Sequence, residues 1–133
     1  MTPEFLAAVI DTLLPGDAVL PSGTNAGVAL AAGTHAAVLE AVLAQAGGLD
    51  AFTRAAAPAR AAALQAVERT HPEAFRALLV AALSDYYESA PVLASLGWRT
   101  DRPQPTGHAV PTMDAPTWKH LERVRQRDRL WRD

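Results

Sequence analysis

"PEAFRALLVAALSDYYE", Pro72 to Glu88, is the stretch on which the fold class turns. Phe75, Leu78, Leu79, Ala82, Leu83 and Tyr86 recur three and four residues apart, the spacing of one helix face. Pro72 suits the first turn of a helix and disfavours helical backbone at His71, so a boundary is expected there. No apolar–polar alternation with β-branched enrichment occurs elsewhere to argue for a strand. The chain therefore reads as all-α, a small bundle of about four helices with an irregular Pro-rich C-terminal tail.

The rest of the bundle follows from the same spacing. Thr2-Pro3 opens a first helix carrying Phe5, Val9, Ile10, Leu13 and Leu14, and Pro15-Gly16 stops it. Leu20, in the turn-rich segment that follows, is expected to cover part of the core. A second helix is expected from Thr24 or Asn25 to Ala46, with Val28, Ala31, His35, Val38, Leu39 and Val42 as its stripe and Gly47-Gly48 as its end. Leu49 to Arg54 reads as a short turn, and a third helix as running from about Pro58 to Thr70. Beyond Pro72–Glu88, the fourth, lie a short helix near Pro91–Leu96 and an amphipathic one over Pro116–Arg129 with Trp118, Leu121 and Val124. The organisation reads as a helical body, residues 1–97, and an extended basic tail, residues 98–133, ending in that helix.

At 133 residues the chain is one domain's worth, half of it hydrophobic, with much of that fraction alanine. Charge is uneven. Up to Gly97 nine acids face four arginines, a net of −5; from Trp98 onward eight bases face five acids, a net of +3. The overall −2 argues against nucleic acid, because phosphate binding wants a strong positive field. Cysteine is absent, which removes disulfide and thiolate chemistry. No apolar run approaches membrane-spanning length, so direct membrane insertion is not expected. The sequence as given shows no export signal and is read as cytoplasmic.

Motifs for chemistry are sparse. His35, His71, His108 and His120 show no helical i, i+4 pair and no His-Glu-x-x-His. There is no Gly-x-Ser-x-Gly, no dinucleotide-binding glycine pattern and no phosphate loop. Asp85 and Glu88 share a helix face, an arrangement that more often marks a solvated patch than an acid–base pair. An enzyme reading would rest on Tyr86, Asp85 and His108 as acid–base groups. A binding reading rests on the aromatic and arginine chemistry around and after Tyr86, because Tyr, Trp and Arg anchor interfaces.

Three pieces in order carry a resemblance: "DTLLPGDAVLPSGTNAGV" (Asp11–Val28), "EAFRALLVAALSDYYESAPVLASLGW" (Glu73–Trp98) and "RPQPTGH" (Arg102–His108). Together, over nearly the whole chain, they resemble the gluconate 2-dehydrogenase subunit 3 family, the small gamma subunits of bacterial FAD-dependent sugar and polyol dehydrogenases. The resemblance implies an accessory subunit with no cofactor of its own, FAD residing in a large partner of the glucose–methanol–choline type. The expected partner-binding residues are Tyr86, Tyr87, Trp98, Arg99, Arg102, Pro103, Pro105 and His108. Many members of that family carry a twin-arginine leader that this sequence lacks, and a periplasmic setting is implied if one has been removed. The alternative is a stand-alone all-α interaction domain whose Tyr-Tyr and Gly-Trp close its own core.

Overall fold

The computed structural model describes residues 1–98 and 113–126, and everything described is helix, turn or loop. The chain divides into two compact units, Met1–Thr100 and Asp101–Asp133. Seven helices occur among the described residues: α1 (Pro3–Leu13), α2 (Ala36–Ala46), α3 (Leu49–Arg54), α4 (Ala57–Thr70), α5 (Pro72–Glu88), α6 (Ala90–Ser95) and α7 (Ala115–Arg125). The first six belong to the first unit, α7 to the second.

Local chemistry sets most of these boundaries. Thr2 caps α1, its hydroxyl accepting from the Phe5 N–H at 3.4 Å, and Pro3 occupies the first helical position. Prolines also sit in the first turns of α4, α5 and α6, where the missing N–H costs no helical bond. α5 spans Pro72–Glu88, as the apolar spacing predicts.

The core of the first unit lies where α1, α2, α4 and α5 meet. α4 packs against α1, α2 and α5, while α3 packs on α1 and α2 and α6 packs on α5. Phe5, Phe52, Leu39 and Leu78 are its largest fully enclosed side chains. The Phe5 and Phe52 rings meet edge to face with centroids 5.3 Å apart, a favoured aromatic geometry. Burying side chains of this size stabilises by about 1.5–3 kcal/mol each, so a few of them outweigh any surface contact in the chain.

Two sequence expectations are corrected. The second helix does not start at Thr24 or Asn25 but at Ala36. A tight turn joins Ser22 to Val28, closed by Ala26 N–H to the Ser22 carbonyl (2.8 Å) and Val28 N–H to the Gly23 carbonyl (3.0 Å). Gly27 leaves that turn at φ +82°, a left-handed conformation that breaks helical continuity and suits glycine. From there Val28 and Leu30 are buried while Ala29 and Ala31 are exposed, a period of two where a helical stripe was expected. The second correction is Leu49–Arg54, expected as a turn. It forms α3, and its burial of Phe52 is the reason it holds: a six-residue helix has little stability of its own.

Candidate interaction surface

The loop between α1 and α2 is irregular but tied down at three points. Asp11, on α1, takes the Thr24 N–H at 2.9 Å and the Thr24 hydroxyl at 2.7 Å. Burial pushes the Asp11 pKa up. The Thr24 hydroxyl and N–H, the Ser22 hydroxyl and the Arg60 charge together outweigh that and hold it below the usual aspartate value. Gly23 lies flat on α1, its N–H bonded to the Leu14 carbonyl at 2.8 Å; a Cβ there would collide with the Ile10 Cγ2 methyl. The third tie comes from α5, sixty-five residues away: the Tyr86 hydroxyl donates to the Pro21 carbonyl at 2.7 Å.

Ahead of Pro21 the chain makes a tight turn on Asp17. One carboxylate oxygen accepts from the Val19 and Leu20 N–H groups, both at 2.7 Å, and the Asp17 N–H bonds the Leu20 carbonyl at 2.9 Å. The Leu20 N–H, then that of Val19, lowers the Asp17 pKa. Leu20 packs partly onto the core, as expected, but Val19 stands 68% exposed at the tip. Asx turns of this kind follow from an Asp two or three residues ahead of the N–H groups it binds. "GDAVL" holds that signal.

The paired tyrosines divide. Tyr86, expected among the partner-binding residues, is 4% exposed, and its hydroxyl is bonded to the Pro21 carbonyl within the core. Burial foremost, then the neighbouring Tyr87 phenol and the Asp17 carboxylate, raise its pKa, which holds the phenol protonated and suits it to donate. Tyr87 is 53% exposed and meets the Tyr86 ring edge to face at 5.4 Å. Helix α6 ends in Gly97 at φ +69°, and Trp98 N–H bonds back to the Leu93 carbonyl at 2.8 Å while its indole stands 70% exposed. Arg99, Arg102, Pro103, Pro105 and His108 lie outside the described residues.

Asp17 lies close enough to the Tyr86 phenol to raise its pKa. Asp17, Asp85 and Glu88 are exposed, and no lysine or arginine stands between Arg76 and Arg99. Among the described residues no three His, Cys, Asp or Glu side chains group as metal ligands. A concavity of about 300 Å³ lined by Ala46, Phe52, Ala59 and Arg60 among others holds neither a carboxylate nor an imidazole. Arg60 Nε is buried there without a hydrogen-bond partner among the described residues. No described helix is long and apolar enough to cross a membrane.

What this arrangement can do chemically is bind. It presents two large aromatic faces, Tyr87 and Trp98, on a unit whose neighbouring turn is braced by side-chain hydrogen bonds. Compared with family models, with curated proteins and with solved structures, the chain matches none.

Proposed function

We propose that this chain is a non-catalytic small subunit that stabilises and docks onto a large FAD-dependent oxidoreductase of the glucose–methanol–choline type, acting on sugar or glycoside hydroxyls. The reading starts from the ordered resemblance of Asp11–Val28, Glu73–Trp98 and Arg102–His108 to the gluconate 2-dehydrogenase subunit 3 family. The observation that carries it furthest is Trp98. An indole 70% exposed at the end of a well-packed helical unit is a poor use of a large apolar side chain unless something covers it. FAD belongs to the partner in this reading, and the substrate never meets this chain.

The stand-alone reading draws support from Tyr86, which closes the chain's own core. It draws none from Tyr87 and Trp98, which do not. An acid–base role for Tyr86 with Asp85 is disfavoured, since the Tyr86 hydroxyl is committed to Pro21 and its pKa is raised.

The test is co-expression of the full chain with a large FAD-dependent oxidoreductase of the glucose–methanol–choline type from the same genome, followed by purification through a tag on the flavoprotein. The chain should co-elute, and Trp98→Ala should weaken the complex by about thirtyfold while leaving the helical signal of the free chain intact. Absence of any co-elution with the unaltered chain would retire the accessory-subunit reading. A Trp98→Ala chain that unfolds on its own would instead make Trp98 a core residue.

A further inference from the structure

Arg60 is a cation on a buried stripe. It stands one turn before Leu64 and two before Val67, both buried, so its side chain leaves α4 on the face that meets the core. Its Nε is enclosed and has no hydrogen-bond partner among the described residues. No described carboxylate makes an ion pair with it; the pair found among the described residues is Arg54 with Asp50, both exposed. Asp11 is near enough for the Arg60 charge to lower its pKa, but its oxygens are taken by the Thr24 hydroxyl and N–H. α4 also begins without a side-chain cap and without an acid in its first turn, so neither offsets a cation near the positive end of the helix. A partly buried charge in this state is costly, and in a native fold it calls for a partner.

We propose that Arg60 holds the carboxylate of a small organic acid whose hydrocarbon body fills the cavity between α2, α3 and α4. That cavity, about 300 Å³, sits at the lower end of the range for small-molecule pockets. Phe52 and the methyls of Ala46, Ala59 and Ala63 form much of its apolar wall, and Arg60 and Gln45 are its polar side chains. With Nε enclosed, the guanidinium is held in place, and its two Nη groups are the donors left to fork onto a carboxylate. The Gln45 amide has a further N–H to give.

The class of acid follows from the walls. A phosphate carries more than one negative charge at neutral pH and wants several donors, while the cavity offers one cation and a lining of methyl groups. A wholly apolar ligand would leave Arg60 unpaired beside it. A monocarboxylate with a short chain satisfies both halves of the site. Charge-assisted hydrogen bonds fix its head, and removal of its chain from water supplies the rest. The space exists because alanines line it, and a larger side chain there would close it.

The experiment titrates the full chain with hexanoate, with its neutral counterpart hexanamide and inorganic phosphate beside it, following backbone amide signals and thermal unfolding. Hexanoate is expected to move the signals of Ala46, Phe52, Ala59 and Ala63 and to raise the unfolding temperature, as a ligand of the folded state does. Hexanamide and phosphate should bind about tenfold more weakly or worse, and Arg60→Gln should cost hexanoate a similar factor. Ala63→Leu, which fills part of the cavity and leaves Arg60 in place, should weaken hexanoate binding as well. Asp11→Asn removes a competing carboxylate and should tighten it. Signals that stay still with hexanoate, or equal binding of hexanoate and hexanamide, overturn the site. Hexanoate affinity within about twofold in Arg60→Gln overturns the role of Arg60. Phosphate binding more tightly than hexanoate overturns the carboxylate assignment. Should Arg60→Gln fail to fold, Ala63→Leu and the hexanamide comparison decide.

Discussion

Residues 14–35 contain no helix, yet they bury Ala26, Val28 and Leu30 and are stitched to α1 and α5 by side-chain hydrogen bonds. Residues 115–125 form a regular, capped helix and bury nothing. The two segments separate regularity from integration. Backbone hydrogen bonds satisfy a helix locally wherever it sits, so regular structure says little about what a segment contributes to stability. Burial does, because the transfer of apolar side chains out of water supplies most of the favourable folding free energy. The irregular loop is therefore the segment of the pair on which the core of the first unit rests.

The sharpest way to break that contrast is Leu30→Ala in the loop. Leu30 is buried without belonging to any helix, and its truncation should cost about 2–5 kcal/mol in chemical denaturation, as in a helix-borne core. A loss under 0.5 kcal/mol would mean the loop lies on the core without supporting it. Gly23→Ala comes next. The added methyl meets the Ile10 Cγ2 methyl, and pushing that side chain aside is expected to cost about 1–3 kcal/mol; pairing it with Ile10→Leu, which lacks that β-branch, should recover part of the loss.

Asp11 sharpens the comparison through pH. Its folded pKa is depressed below the ordinary 3.8, so its contribution is fully present above that value and disappears as pH falls through the folded pKa. Acid unfolding of Asp11→Asn should therefore show a shallower pH dependence below pH 3.8 than the unaltered chain. Identical acid limbs would remove Asp11 from the loop's support. Tyr86→Phe should cost about 1 kcal/mol through the bond to Pro21, whereas Tyr87→Phe should change stability hardly at all. Equal effects would erase the division between the two phenols. Smallest of all, Leu121→Ala in α7 should shift the free chain's stability by no more than about 0.5 kcal/mol. A larger shift would show that α7 shares in the folding of the chain.

Legibility in the sequence followed the range of the forces involved. The ends of α1, α4 and α5 could be read from Thr2-Pro3, Pro15-Gly16 and His71-Pro72, because caps and prolines act within one turn. Which of the candidate interface aromatics face outward was less legible. Trp98 and Tyr87 stand exposed as an interface would need, but nothing in "DYYE" distinguishes the inward tyrosine from the outward one without knowing which helix face meets the core. Val28, Ala31 and His35 fit helical spacing as well as they fit an extended run, and the apolar pattern alone does not arbitrate over so short a span.

By itself the sequence determined that this protein is all-α, where its proline- and cap-marked helices begin, and that an acidic body precedes a basic tail. These are consequences of backbone stereochemistry, side-chain periodicity and composition, all of which are local or additive. Only the tertiary structure decided that Phe52 turns Leu49–Arg54 into a helix, that Thr24 is held by Asp11, and that the Tyr86 hydroxyl bonds the Pro21 carbonyl. Each of those depends on groups thirteen to sixty-five residues apart meeting at contact distance. Such a meeting is settled by the packing of the whole core, and no window of the sequence contains it.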